Sequence, residues 1–370
     1  MDFEVVRQAP QGAARAGLLR TSRGEVETPA FMPVGTHATV KALTPDEVAE
    51  TGAQMILANA FHLYLRPGPD IIARAGGLHA FMGWSGPILT DSGGYQVYSL
   101  AKMRIVDDEG VSFRSPIDGS PHRFTPEGVV DIQRQLGSDI VMPLDVCLGY
   151  PHDPGEDRAA MEQTLRWAAR SREHHARSGT GVLFGIVQGG FDPALRAEAA
   201  RRTAALEFPG YALGGFSVGE PRRIMQEAIE AAVTELPPAR PRYVMGLGDT
   251  PSLLEAVDRG IDLFDCALPT RVARTGVLLT RTGRTNIRNA RFRDDLSPPD
   301  PDCGCRVCAR TTRAYLRHLF AADEMLGPRL ATYHNLAFMG DLLREARSAL
   351  REDRYERWMS GVLAGYASQW

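Results

Sequence analysis

The chain has 370 residues, 44% hydrophobic and 24% charged, with 42 Lys and Arg against 45 Asp and Glu for a net charge of −3. Such a composition supports a sizeable globular core and excludes a disordered chain, and the slight negative charge argues against an indiscriminate nucleic-acid coat. No segment approaches the run of about 18 apolar residues that a membrane span needs, and no apolar stretch follows a basic one at the start, so a cytoplasmic protein with no membrane association is expected.

In chain order, short apolar runs end in glycine or a polar residue before a helical pattern begins. They are FMPVGT (31–36), QMILANAF (54–61), PILTDSGG (87–94), DIVMPLDVC (139–147), VLFGIVQGG (182–190), YALGGFSVG (211–219), RYVMGLGD (242–249) and IDLFDCALPT (261–270). Runs that are apolar throughout, rather than alternating, predict strands buried on both faces, as in a parallel sheet covered by helices. Between them, Thr44, Thr125 and Thr250 each precede a proline, which predicts helix N-caps with proline in the first turn; Glu47 adds a capping box to Thr44. Residues 157–177 and 221–236 carry clear amphipathic helical patterns. Eight strand–helix units in this length predict a (β/α)8 barrel. A doubly wound open sheet fits less well, because eight similar units show no switch point. After the eighth run, alternating short runs and Gly turns predict a small β excursion, then a cysteine cluster, then helix, inserted before the last barrel helices. The whole chain, 1–370, reads as one catalytic barrel domain with a metal-binding subdomain at about 275–340.

Barrels of this kind place their chemistry where the carboxyl ends of the strands meet the following loops. Asp91, Asp145, Gln188, Gly214, Gly215 and Asp265 stand at those ends. Each aspartate taken singly could be a turn or cap residue or an ion-pair partner, but three converging carboxylates are not what core packing asks for. Two carboxylates on a rim suit chemistry at a glycosidic carbon, one attacking and the other handling the proton. Metal-dependent hydrolysis has less support, since no HExxH is present and no His cluster lies at the strand ends; neither a phosphate-binding GxxxxGK[ST] nor a GxGxxG follows a strand. Cys147 and Cys266 read as packing residues, and His174 and His175 as solvated residues of a polar helix.

The stretch CGCRVC puts Cys303, Cys305 and Cys308 on one tight loop, a spacing suited to a closed structural Cys3His zinc site; either His318 or His334 could be the fourth ligand on spacing alone. Between 271 and 317, eleven arginines (Arg271, Arg274, Arg281, Arg284, Arg288, Arg291, Arg293, Arg306, Arg310, Arg313 and Arg317) stand against four aspartates, and no lysine occurs. That stretch is a candidate phosphate-binding surface, with a solvated face as the alternative.

The segments TPAFMPVGT, NAFHLYLRPG, LTDSGGYQV, LDVC, GIVQGG, ALGGFSVGE, YVMGLG, DLFDCALPTR, NIRNARF and CGCRVC followed by YHNL resemble, in this order, the bacterial tRNA-guanine transglycosylases of queuosine synthesis. The resemblance implies a (β/α) barrel with a zinc-bearing insertion. It also implies exchange of the wobble guanine of tRNAs with GUN anticodons (Asp, Asn, His, Tyr) for 7-aminomethyl-7-deazaguanine, without a nucleotide cofactor. By that likeness Asp265 is the nucleophile and Asp91 the general acid/base. Asp145 accepts from the N1 hydrogen and amine of guanine, Gln188 and the Gly215 N–H donate to its carbonyl, Tyr95 and Met245 sandwich it, and Ser92, Gly93 and Gly94 allow close approach. Gly246, Leu247, Gly248, Asp249, Thr250, Pro251 and Ser252, with Thr270, Arg271, Val272, Ala273 and Arg274, match RNA-contacting loops. His334 is selected over His318 as the ligand of one structural Zn2+ per subunit, and a homodimer is implied. Cys147 and Val218 match the bacterial pattern, and an archaeal RNA-binding extension is not expected. Phe216 replaces a common Leu, and Ala60–Phe61 a common Thr-Tyr pair, so pocket hydrogen bonds from those hydroxyls are expected to be missing. The competing readings are a carbohydrate-active barrel glycosidase and a non-catalytic zinc RNA-binding subunit.

Overall fold

The computed structural model describes residues 1–100, 104–178 and 180–367. Its centre is a parallel barrel of strands β1 (Ala30–Gly35), β2 (Ile56–Asn59), β3 (Ile88–Asp91), β4 (Ile140–Val141), β5 (Val182–Leu183 with Gly185–Val187), β6 (Tyr211–Leu213), β7 (Arg242–Val244) and β8 (Leu263–Cys266), with β8 paired back to β1. The two halves of β5 bond to opposite neighbours. Phe184 N donates to Val141 O at 3.1 Å and Gly185 N to Gly210 O at 3.0 Å, so the ring closes through one continuous stretch of chain.

Both faces of these strands are buried, as the unbroken apolar runs require. Met32, Leu57, Leu89, Ile140, Ile186, Ala212, Tyr243 and Leu263 fill the barrel interior, while Phe31, Ile56, Ile88, Val141, Val187, Leu213, Val244 and Phe264 face the helices. An antiparallel sheet, Asp2–Gln8, Arg15–Thr21 and Gly24–Thr28, closes the amino-terminal end, where its Leu19 and Val26 join the interior cluster. Arg15 fastens that floor to the start of β8 through a buried two-point pair with Asp262, at 2.9 and 2.6 Å. Removing one partner of such a pair strands a charge and costs about 3–5 kcal/mol.

Thr44 forms the expected capping box with Glu47, and Thr125 accepts from Gly128 N. Thr250 is not a cap. Asp249 takes that position, accepting from Ser252 N at 3.2 Å, and the buried Thr250 hydroxyl accepts from Tyr366 instead. A carboxylate one residue earlier serves the first-turn N–H groups better and frees the threonine. The amphipathic patterns form helices Pro154–Ser178 and Arg222–Glu235. His174 and His175 are half-buried rather than solvated, and His174 Nε2 lies 3.1 Å from Asp131. An antiparallel sheet of Arg104–Asp107, Gly110–Arg114 and Pro121–Phe124 lies between β3 and the helix Pro126–Leu136. The expected β excursion is the hairpin Val277–Thr280 with Gly283–Asn286; after the cysteines come the helices Arg313–Ala321, Leu326–Arg351 and Tyr355–Ala367. No helix among the described residues is long and apolar enough to cross a membrane.

Candidate active site

Side chains on a strand repeat their direction every second residue. Two steps beyond the interior positions Leu57, Leu89, Ile186, Tyr243 and Leu263 stand Asn59, Asp91, Gln188, Met245 and Asp265, so the interior phase lifts these residues to the carboxyl rim. Asp145 arrives differently, on the loop four residues past the end of β4. The rim opens into a cavity of about 590 Å³ whose walls include Asn59, Asp91, Asp145, Tyr243, Met245 and Asp265. That volume is ordinary for a small-molecule site.

Asp265 Oδ1 accepts from the Tyr243 hydroxyl and from Gly246 N at 2.8 Å. Asp91 accepts from Ala60 N at 3.0 Å, from Gln96 Nε2 at 3.1 Å and from Asn59 Nδ2. Asp145 accepts from Gln188 Nε2 at 2.7 Å and from the Ser92 hydroxyl at 3.2 Å. Burial raises the pKa of all three, and for Asp91 the nearby charges of Asp265 and Asp145 help to push it up to about 8. Desolvation is opposed at Asp265 by its two donors. At neutral pH Asp91 therefore holds a proton beside a second buried carboxylate, a division of roles suited to acid–base and nucleophilic work.

Ser92, Gly93, Gly94 and Tyr95 line the same cavity, Tyr95 with 47% of its surface exposed. Gly94 lies against Asp145, where a Cβ would collide with the carboxylate and stand 2.9 Å from its carbonyl oxygen. Gly215 lines the cavity, whereas Gln188 stands behind Asp145 and is tied to it. Ala60 serves through its main-chain N–H, and the Phe61 ring packs on Phe113 and Phe124 away from the cavity, so the missing hydroxyls leave Asp91 fully supplied with donors. Cys147 and Cys266 are cavity-wall thiols whose pKa burial raises, to about 12 and about 11, which keeps them protonated.

The matched RNA loops divide by exposure. Leu247, Gly248, Thr250, Ser252, Thr270 and Ala273 are buried, Gly246, Asp249, Pro251 and Val272 are half-buried, and Arg271 and Arg274 are exposed. Arg271 also lines the cavity. The arginine-rich stretch is not one free cationic face: Arg281 pairs with Glu345, Arg306 with Glu47 and Glu50, Arg313 with Asp295, and Arg317 donates to Asn289 O. These arginines fasten the insertion to itself and to the barrel.

Cys303, Cys305, Cys308 and His334 bring their donor atoms within 4.8 Å of one another. A tetrahedral zinc with bonds of about 2.3 Å to sulfur spaces its ligands about 3.8 Å apart, so the set fits a metal ion. His334, on the helix Leu326–Arg351, is fully buried; its Nε2–H donates to Leu279 O at 2.9 Å, which leaves the Nδ1 lone pair directed at the sulfurs, 3.3 Å from Cys308 Sγ. The next residue, Asn335, donates to Pro269 O and Val277 O and accepts from Leu279 N. His318 is exposed and lies outside this group.

Sequence reasoning missed Tyr243, Asn59, Gln96 and His62. A tyrosine inside an unbroken apolar strand needs a partner for its hydroxyl, and that was the available signal for Tyr243. His62 lines the cavity, and burial with His37 and Lys41 nearby pushes its pKa down to about 4, so it is neutral.

A family model described as queuine tRNA-ribosyltransferase matches residues 10–368. Proteins named queuine tRNA-ribosyltransferase are similar along their lengths. That of Pelotomaculum thermopropionicum is 53% identical over 366 residues, covering 99% of both chains. That of Caldanaerobacter subterraneus subsp. tengcongensis is 51% identical over 364 residues, 98% of this chain and 97% of its own. That of Moorella thermoacetica is 51% identical over 369 residues, 98% of this chain and 99% of its own.

Proposed function

Because the chain belongs to the queuine tRNA-ribosyltransferase family, we propose that it is a pentosyltransferase that replaces the wobble guanine of GUN-anticodon tRNAs with 7-aminomethyl-7-deazaguanine. The observation that carries this reading is the pair Asp91 and Asp265 lining one cavity, one protonated near neutrality and the other supplied with donors, with Asp145 lining it too. Family membership speaks against the glycosidase reading, and the presence of Asp91, Asp145 and Asp265 at one cavity speaks against a silent subunit.

In the first displacement, Asp265 attacks the ribose anomeric carbon as the bond to guanine N9 breaks, and Asp91 supplies the proton to the departing base. In the second, Asp91 takes the N9 proton of the incoming base, whose nitrogen displaces the Asp265 carboxylate. Two inversions retain the configuration. Asp145 accepts from the N1 hydrogen and exocyclic amine, the Gly215 N–H donates to the base carbonyl, joined by Gln188 once its amide turns from Asp145, and Tyr95 and Met245 flank the flipped base. A base without that donor edge would leave Asp145 with only its protein donors and bind more weakly than guanine.

Arg271 and Arg274 are assigned to holding the anticodon bases beside the wobble position together with their phosphates, and the buried residues of both RNA loops to holding the loops in shape. The Cys303, Cys305, Cys308 and His334 group is assigned one structural Zn2+ that pins the insertion. The chain acts as a single catalytic domain, as a cytoplasmic homodimer. The deciding experiment incubates the protein with GUN tRNA and labelled guanine or 7-aminomethyl-7-deazaguanine. Label should enter only tRNA with a wobble guanine, and incorporation that ignores replacement of that guanine would refute the specificity.

A further inference from the structure

Arg196, on the helix Pro193–Ala204, has no exposed surface. Its hydrogen bonds go to main chain: Nε donates to Gly190 O at 2.7 Å and Nη1 to Val187 O at 2.9 Å, while Nη2 is buried with no hydrogen-bond partner among the described residues. The guanidinium carbon lies 4.4 Å from the centroid of the Phe216 ring. Burying a cation without a contacting carboxylate is costly, and an apolar side chain would fill the same space. Packing therefore does not account for an arginine here.

The bonded partners give the reason. Val187 and Gly190 flank Gln188, and Phe216 follows Gly215; these are the two loops that carry the donors assigned to the base carbonyl. Nη2 approaches within 3.4 Å of where a Cβ on Gly215 would stand, so the guanidinium spans both loops just behind the base site. The plane of an arginine can donate along its edge and stack on its face at once, which a lysine cannot do.

We propose that Arg196 is a positioning residue for the purine: it clamps the exits of β5 and β6 together, setting the spacing at which Gln188 and the Gly215 N–H meet the base carbonyl. The assignment rests on the base-exchange reading above. Phe216, the departure from the common leucine, is then part of the clamp.

The test compares the unaltered protein with Arg196→Met, Arg196→Lys and Phe216→Leu, varying guanine and tRNA separately. With two charge-assisted hydrogen bonds lost, Arg196→Met should raise the KM for guanine about tenfold or more and leave the KM for tRNA within about twofold. Arg196→Lys should recover part of the loss, and Phe216→Leu should raise the guanine KM alone by about threefold. Thermal midpoints are measured in parallel; if Arg196→Met does not fold, the other two variants decide. Equal rises in both KM values, tracking a lower thermal midpoint, would reduce Arg196 to a structural residue and overturn the proposal, as would an unchanged guanine KM in Arg196→Lys and Phe216→Leu. Absence of exchange by the unaltered protein would instead overturn the base-exchange reading, and this assignment with it.

Discussion

The Tyr243 hydroxyl and the Gly246 N–H both donate to Oδ1 of Asp265, and no hydrogen bond among the described residues reaches Oδ2. One carboxylate oxygen is thereby held and the other left for attack. Tyr243→Phe removes a hydrogen bond to a charged group, worth about 1.5 kcal/mol or more, so covalent-complex formation should slow about tenfold. Because that hydroxyl lowers the Asp265 pKa, the acid limb of the rate profile should move to higher pH. A single-turnover pH series checks both; an unmoved limb would show that Tyr243 only fills space.

Asp265→Asn should abolish trapping of the enzyme–RNA complex on denaturing gels, with a rate loss of about a thousandfold or more. Covalent complex retained by this variant would remove Asp265 from the nucleophile role.

Asp91, pushed up to about 8 from an ordinary 3.8, binds its proton more tightly folded than unfolded between those values. Its contribution to stability therefore falls as pH rises through that window, and Asp91→Asn should be more resistant to urea than the unaltered protein near pH 8. Catalytically, discharge of the covalent complex should speed up with pH as Asp91 ionises. The midpoint should lie below 8, because esterified Asp265 no longer repels the charge. A pH-independent discharge would argue against Asp91 as the base.

Arg271→Ala should raise the KM for tRNA about tenfold and reduce the log–log salt slope by about 1, with the guanine KM unchanged. Steady-state titrations at several salt concentrations measure this. Arg306→Ala, by contrast, loses pairing to Glu47 and Glu50 and should lower stability without changing the salt slope.

Metal removal should loosen the insertion first. Cys308→Ser or chelation should speed hydrogen exchange across 277–321 and weaken tRNA binding, while guanine protection of the barrel loops persists. Uniform loss of protection throughout the barrel would mean that the metal supports the whole fold.

Much of this arrangement was legible from residue order, for local reasons. Unbroken apolar runs can only be strands covered on both faces, Thr44 and Glu47 need only each other to cap a helix, and three cysteines in six residues meet without help from the rest of the chain. The aspartates at the rim followed from the same runs, since a strand's period places Asp91 and Asp265 on the interior phase above Leu89 and Leu263.

What residue order could not settle were choices between distant groups. His334 and His318 are equivalent by spacing; the buried bond from His334 to Leu279 and the exposure of His318 separate them. Eleven arginines look alike in the sequence, yet Glu345, Glu47, Glu50 and Asp295 tie down Arg281, Arg306 and Arg313, while Arg271, Arg274, Arg284, Arg288, Arg291, Arg293 and Arg310 stay exposed and Arg271 alone of these lines the cavity. The sequence by itself determined the barrel, the cluster of three thiols and the rim carboxylates, because each depends on near neighbours and periodicity. Only the tertiary structure decided which oxygen of Asp265 is free and which cations face out, and it supplied the physical ground for His334 over His318, because burial and hydrogen-bond partners are properties of chain segments that meet only in the fold.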